Sequence, residues 1–156
     1  MARIIETTID IDAPRTAVWR TLTDFDRFPE WSAFILGIEG DVVTGKIVAV
    51  RLNDGGGEMK MTPRIVAHED PHKLIWRGKM AASWLFSGEH RFVLSNLEGG
   101  KTRLSHSEVF SGILVPLLWK ILDKRTRPAF LAFNEALRRR CETQQETGHG
   151  SGAVAT

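Results

Sequence analysis

Two histidines and one glutamate are spaced so that a β-sheet would bring them together. His90 belongs to the stretch 88–94, and His106 and Glu108 belong to the stretch 102–110. In a strand every second side chain points to the same face, so His106 and Glu108 share a face with each other. Neighbouring strands lie about 4.8 Å apart, which allows hydrogen bonds between side chains of the two strands. We therefore expect a polar cluster of three residues on an otherwise apolar face.

This cluster is compatible with three kinds of chemistry. A histidine polarised by Glu108 has the pKa range of a general base, so His90 or His106 would abstract a proton from a carbon acid. Two histidines and a carboxylate also have the composition of a metal-binding triad, although strand alternation gives them no common vertex. In the third interpretation, Glu108 satisfies a buried histidine or orients a ligand, as buried polar groups often do. The third is our leading hypothesis, and we predict no metal and no cofactor.

The elements that carry the cluster follow a simple order. Residues 3–11 alternate apolar and polar side chains, which predicts a half-buried strand. Asp12 and Pro14 are typical of a helix start, so a short helix is predicted over 14–23. The aromatic-rich segment 24–31 predicts a second short helix.

From residue 34 to residue 110 the sequence alternates strands with turn-forming residues. The predicted strands are 34–39, 45–52, 58–68, 73–80, 88–94 and 102–110. The loops between them are short, and Gly55-Gly56-Gly57 indicates a hairpin turn, so the strands should form an antiparallel meander. Pro63 is unfavourable in a central strand and predicts a bulge or an edge position.

The last predicted element is a helix of about thirty residues that ends near Glu142. Phe130, Phe133 and Leu137 recur at helical spacing and predict its buried stripe. Pro128 should kink or interrupt this helix, because proline removes one backbone hydrogen bond. The apolar run 113–119 at its start is expected to be buried, with a dimer or membrane contact as alternatives.

One helix cannot cover the whole face of a curved seven-stranded sheet, so the remaining gap is either filled by large side chains or left as an internal cavity. The segments IDIDAPRTAVWRTLTDFDRFPEWS, Leu74-Ile75-Trp76, Gly88-Glu89-His90-Arg91-Phe92 and 102–108 resemble, in order and spacing, the START-like (SRPBCC) superfamily, in particular its polyketide cyclase/dehydrase-like branch. The resemblance covers about residues 2–142. It implies an α+β helix-grip fold, a seven-stranded curved antiparallel sheet around a long C-terminal helix, with two short helices after the first strand.

The resemblance also implies binding of an apolar small molecule such as a lipid or a polyketide. We expect a carrier or sequestering protein, with a cyclase, dehydratase or hydrolase as one alternative and a co-chaperone-like interaction module as another. In the enzyme alternative, His90 or His106 is the base for a carbonyl-bearing hydrophobic substrate. The candidate ligand-binding residues are Trp31, Met59, Met61, Trp76, His90, Phe92, His106, Glu108, Phe110, Phe130 and Phe133. Trp84 lies in an apolar loop that would gate the cavity or contact a partner.

Composition limits the other possibilities. The formal net charge of +2 gives no indication of nucleic-acid binding, and the single cysteine, Cys141, excludes an intrachain disulfide. No apolar run reaches the ~20 residues of a membrane span. We expect a cytoplasmic monomer or homodimer with one domain over 1–142, a hydrophobic small molecule as its partner, and a disordered tail over 143–156.

Overall fold

The structure, a computed structural model, describes residues 2–150. Within this range the chain forms eight strands, two α-helices and two short 3₁₀ helices. The strands are β1 (Arg3–Ile11), β2 (Ile35–Glu39), β3 (Ala49–Asn53), β4 (Glu58–Met61), β5 (Arg64–Glu69), β6 (Lys73–Met80), β7 (Phe86–Asn96) and β8 (Thr102–Ser111). The helices are α1 (Arg15–Thr23) and α2 (Val115–Gly150), and the 3₁₀ helices cover Phe25–Glu30 and Glu98–Gly100.

The strands of residues 2–150 form two antiparallel sheets rather than the single seven-stranded sheet that we predicted. The larger sheet has the order β1-β8-β7-β6-β5, and the smaller sheet has the order β2-β3-β4. The segment before β3 connects them, because Gly45 N–H donates to the carbonyl of Ile65 at 2.8 Å and Val48 N–H donates to the carbonyl of Pro63 at 3.0 Å. The α+β helix-grip architecture is as expected.

Pro63 explains the extra strand. The sequence predicted one strand over 58–68 with a bulge or edge at this proline, whereas the chain leaves β4 at Met61 and enters β5 at Arg64. β4 pairs with β3, and β5 pairs with β6. Since proline has no N–H for a strand ladder, the chain changes from one sheet to the other at this point.

Helix α2 covers the inner face of the larger sheet, with Phe130, Phe133 and Leu137 at most 1% exposed. The predicted stripe is therefore confirmed as part of the core. The helix continues through Pro128 without the predicted interruption. Pro128 has no N–H to donate to the Lys124 carbonyl. Both residues lie on the exposed side of the helix, where water is available to this carbonyl.

The helix also extends beyond its predicted end. It was expected to end near Glu142, before a disordered tail over 143–156, but residues 143–150 continue α2. Side-chain contacts support the extension, since the Thr21 hydroxyl of α1 donates to Gln144 Oε1 at 3.0 Å. Residues 151–156 of the predicted tail lie outside the described residues.

Candidate functional site

A cavity of about 440 Å³ lies between the larger sheet, the β3–β4 hairpin and the first half of α2. Six of the predicted ligand-binding residues line it: Met59, Met61, Trp76, His90, Glu108 and Phe110. Sequence reasoning missed other apolar wall residues, among them Phe34, Leu52, Met80, Phe86, Leu118 and Leu122. Leu118, in the apolar run 113–119, and Leu122 are one helical turn apart on α2, and this spacing was the signal in the sequence.

Two glycines keep this end of the sheet open. Gly78 of β6 and Gly88 of β7 are directly paired across the two strands and both line the cavity. A Cβ atom at Gly88 would lie 2.4 Å from Glu108 Oε1, and one at Gly78 would lie 2.8 Å from Met61 Cε. A side chain at either position would therefore take space that now belongs to the cavity or to Glu108.

Glu108 and His90 form the polar corner of the cavity. Glu108 Oε2 lies 3.4 Å from His90 Nδ1, and the Glu108 side chain is 17% exposed, whereas that of His90 is 5% exposed. The two residues face each other in the β7–β8 register. Strand alternation thus predicted their proximity correctly.

Behind the corner, a row of buried side chains crosses from the sheet to α2. His90 Nε2 lies 2.8 Å from His106 Nε2, and His106 Nδ1 lies 2.8 Å from Asn134 Oδ1. Asn134 Nδ2 donates to Thr7 Oγ1 at 2.9 Å, and the Thr7 hydroxyl donates to the His106 carbonyl at 3.2 Å. Asn134 and Thr7 were not predicted as site residues. Asn134 follows directly after Phe133 in the buried stretch of α2, and its polar side chain there was the signal.

Both histidine rings are held between aromatic side chains. His90 stacks on Trp76 with a centroid distance of 4.8 Å and an interplanar angle of 7°. His106 stacks on Phe130 at 3.8 Å and 13°. These contacts fix the ring planes, so that the nitrogen atoms of the two histidines can face each other.

Burial sets the charge of the cluster. It lowers the pKa of His90 to about 3. It also lowers the pKa of His106 far below its ordinary value, with the neighbouring His90 adding to the effect and the Asn134 hydrogen bond opposing it. Burial, with a smaller contribution from the Asp54 carboxylate, raises the pKa of Glu108 to about 8. Near pH 7 both histidines are therefore neutral and most Glu108 side chains carry a proton.

The geometry of the two histidines is that of a hydrogen-bonded pair rather than of a metal centre. Their Nε2 atoms face each other directly at 2.8 Å, which leaves no space for an ion bound to both. Among residues 2–150, no group of three or more histidine, cysteine, aspartate or glutamate side chains is arranged to hold a metal ion.

The other predicted ligand-binding residues lie outside the cavity wall. Phe92, Phe130, Phe133 and His106 are at most 1% exposed and belong to the packed core. Trp31 packs against this core, with its ring 5.1 Å from that of Phe133. These five residues lie in the filled part of the interior.

The surface near the cavity is partly apolar. Leu117 is 78% exposed and Ile113 is 66% exposed, so the run 113–119 is not buried throughout as expected, although Val115 is fully buried. Trp84 is 67% exposed in the β6–β7 turn, and its carbonyl accepts a hydrogen bond from Ile113 N–H at 3.1 Å.

An open basic groove lies beside this surface and shares Phe34 and Asp54 with the cavity. Lys120, Lys124 and Arg125 line it.

Antiparallel sheets pack against a long C-terminal helix and leave an apolar cavity with one polar corner between them. This architecture defines a helix-grip protein of the START/polyketide cyclase superfamily. The chain belongs to the family described as "Polyketide cyclase / dehydrase and lipid transport", whose model matches residues 2–142. No curated protein matches the sequence. No helix within residues 2–150 is long and apolar enough to cross a membrane.

Solved structures share this fold at low sequence identity. The Zhui aromatase/cyclase from Streptomyces sp. R1128 aligns with a TM-score of 0.76 and 18% identity over 99% of this chain and 100% of its own. A START superfamily protein from Mycobacterium smegmatis aligns with a TM-score of 0.71 and 15% identity over 90% and 98%. A norcoclaurine synthase from Thalictrum flavum, solved as a point mutant with a transition-state analogue, aligns with a TM-score of 0.70 and 13% identity over 93% and 97%.

Proposed function

We propose that the protein binds one apolar or amphipathic small molecule in the cavity and acts as a carrier or sequestering protein. The observation that carries the proposal is the cavity itself, about 440 Å³ in volume, with mainly apolar walls and one polar corner. Ligand sites in proteins have this composition, because the apolar wall supplies affinity and a few polar groups fix the orientation of the ligand.

The size of the cavity limits the ligand. Binding sites for small molecules have volumes of roughly 300–1,000 Å³, and this cavity lies in the lower part of that range. A bicyclic aromatic molecule or a medium-length alkyl chain fits such a volume. Burial contributes roughly 25 cal/mol per Å² of apolar surface before the costs of binding.

Titration calorimetry with 2-naphthol and 1-decanol tests the proposal. Both probes combine an apolar body with one polar group, and we expect both to bind. Gly78→Leu should abolish binding, because its side chain fills the cavity. The fold should tolerate this change, since the nearest atom to the new side chain is the flexible end of Met61. Gly37→Leu is the matched control, since Gly37 lies on β2 away from the cavity wall and has space beside Arg51. Equal loss of binding in both variants, or no binding in the parent protein, would refute the proposal.

A second candidate function is catalysis on a carbonyl-bearing hydrophobic substrate, as in a cyclase or a dehydratase. It is favoured by the position of Glu108 on the cavity wall, where its raised pKa, about 8, lets it protonate a carbonyl oxygen near neutral pH. His106 has both ring nitrogens in hydrogen bonds. The role of base in this function therefore falls to His90, through Nδ1.

Exchange of the α-protons of 2-tetralone with deuterated water tests this second function. A paired acid and base accelerates such proton transfer by about 10²–10⁴-fold when both pKa values lie near the working pH. Because the pKa of His90 is about 3, we expect an acceleration at the lower end of this range. We expect Glu108→Gln to remove the acceleration while 2-naphthol still binds. If the parent protein exchanges the protons no faster than buffer does, the carrier function stands alone.

We also propose that the protein works in the cytoplasm as a monomer or homodimer without a nucleic-acid partner. The chain has one cysteine, Cys141, whose thiol is free and buried, and the absence of an intrachain disulfide supports a reducing compartment. Sedimentation of the purified protein at several concentrations measures the oligomeric state.

A further inference from the structure

The hydrogen bonds in the row of buried polar groups behind the cavity have a defined donor and acceptor at each step. The assignment starts from a backbone carbonyl. The carbonyl of His106 accepts the Thr7 hydroxyl proton, because a carbonyl oxygen has no proton to donate. With its proton committed, the Thr7 oxygen acts as the acceptor for Asn134 Nδ2. The amide of Asn134 therefore presents its oxygen, Oδ1, to His106 Nδ1.

The same reasoning assigns the protons of the two histidines. His106 Nδ1 must carry a proton, because it faces the Asn134 oxygen at 2.8 Å. A neutral imidazole carries one proton, so His106 Nε2 is an acceptor and the facing His90 Nε2 is the donor at 2.8 Å. The same rule leaves His90 Nδ1 without a proton. This unprotonated nitrogen points at Glu108, on the cavity wall.

The neutral state of both rings follows from their surroundings. His90 is 4% exposed and His106 is fully buried, and aromatic side chains pack against both rings. Desolvation disfavours the charged imidazole and lowers the pKa of each histidine. Glu108 is the acidic group in contact with His90, and it carries its own proton under the same conditions.

The corner therefore offers one acceptor and one donor side by side. His90 Nδ1 is the acceptor, and the protonated carboxyl of Glu108 is the donor, with 3.4 Å between Nδ1 and Oε2. An oxygen atom can lie about 2.8 Å from both atoms at once, which is the ordinary hydrogen-bond distance for such groups. A hydroxyl group at this point donates to His90 and accepts from Glu108.

We propose that the Thr7–Asn134–His106 row fixes His90 as an acceptor and thereby makes the cavity selective for ligands that carry a hydroxyl group, such as an alcohol, a phenol or an enol. The proposal rests on the proposed binding function. An ether or a ketone accepts a hydrogen bond from Glu108 but leaves His90 Nδ1 without a donor. A buried polar atom without a partner weakens binding. Thr7, Asn134 and His106 are positioning residues in this scheme, since they act through His90.

The tautomers are measurable without any ligand. In ¹⁵N-labelled protein at pH 7, two-bond correlation spectra should show an unprotonated Nδ1 in His90 and a protonated Nδ1 in His106. Thr7→Val removes the hydroxyl that orients Asn134 at nearly constant shape, and we expect mixed tautomers in both rings. Thr7→Ser keeps the hydroxyl and should retain the parent pattern. A protonated Nδ1 in His90 of the parent protein, or identical spectra in all three proteins, would overturn the proposed assignment.

Ligand selectivity is measured with 2-naphthol, 2-methoxynaphthalene and naphthalene, which share one ring system. We expect 2-naphthol to bind about 10-fold more tightly than either of the other two, the gain of one well-formed hydrogen-bond pair. In Thr7→Val the preference should fall towards unity, and in Thr7→Ser it should persist. Equal affinity of the parent protein for all three probes overturns the selectivity alone, because the cavity still binds. If none of the three binds, the proposed carrier function itself fails.

Discussion

The interior of the protein has a filled half and an open half, and both are built from the same strands. On the inner face of β7, Phe92 and Leu94 are almost fully buried in the core, whereas Gly88 of the same strand lines the cavity. On β6, Leu74 is buried in the core and Gly78 lines the cavity. The difference between the halves is therefore a difference in side-chain volume along each strand, on one continuous sheet.

The two halves meet at the polar row. His90 has its Nε2 atom on the side of His106 and the filled half, and its Nδ1 atom on the side of Glu108 and the cavity. The aromatic packing of the filled half thus holds the groups that face the open half. Rigidity and binding space are thus separated within one interior, and His90 connects the two through its two ring nitrogens.

The largest expected effect comes from truncating the filled half. Phe133 is 1% exposed and packs against Phe28, Trp31 and Phe92. Phe133→Ala should lower the free energy of unfolding by about 3–5 kcal/mol, because it leaves a void in close-packed surroundings. Phe86→Ala, which enlarges a cavity that already exists, should cost clearly less. Urea denaturation measures both values, and equal losses would show that the two halves do not differ in packing.

The second effect is the pH dependence of stability at the polar corner. The folded-state pKa of Glu108, about 8, lies above its ordinary value of 4.5. Between these values the folded protein holds a proton that the unfolded chain has lost, so Glu108 makes stability fall as pH rises. The histidines act oppositely, because a lowered pKa, about 3 for His90, makes stability rise with pH up to the ordinary value of 6.5. From pH 6.5 to 8 the Glu108 effect acts without them.

Glu108→Gln isolates this effect, because glutamine cannot ionise. We expect the parent protein to lose up to about 2 kcal/mol relative to the variant between pH 6.5 and 8, at about 1.4 kcal/mol per pH unit. Urea denaturation of both proteins at pH 5, 6.5 and 8 gives the comparison. A difference that stays constant over this range would contradict the neutral state of Glu108.

A smaller effect distinguishes the two cavity glycines. Gly88→Ala places a methyl group against Glu108 Oε1 and must displace the carboxyl, whereas Gly78→Ala meets only the end of Met61 within 3 Å. We expect Gly88→Ala to weaken 2-naphthol binding by about 10-fold, through loss of one hydrogen bond, and Gly78→Ala to change it less than 3-fold. Calorimetry of the two variants measures this, and the reverse order would place the polar contact elsewhere.

Strand alternation was enough to predict the polar corner but not the depth of the cavity. His106 and Glu108 are on the same face of β8, and the sequence gives both the same parity. Their environments differ because α2 lies closely over His106, where Asn134 and Phe130 touch its ring, and leaves space over Glu108. The position of a helix across a sheet depends on tertiary packing, which a local pattern does not contain.

The same reason explains the candidate residues outside the cavity wall. Trp31 belongs to the aromatic-rich segment 24–31 and Phe130 to the predicted stripe of the last helix, and the structure places both among other aromatic rings. Conversely, the glycines at 78 and 88 carried usable information, since a glycine inside a strand pattern often marks a place where space is needed. Asn134 was also visible in the sequence, as a polar residue directly after Phe133 of the buried stripe.

The most direct test of the account uses the methionine methyl groups. The sequence has four methionines, and three of them, Met59, Met61 and Met80, line the cavity. In protein with ¹³C-labelled methionine and leucine methyl groups, titration with 2-naphthol or 1-decanol should shift these three methionine signals with one common dissociation constant. The signals of Leu104 and Leu137, which are fully buried in the core, should stay in place. Unchanged methionine signals with both probes, or shifts centred on Leu104 and Leu137, would contradict the proposal that the open half is the binding site.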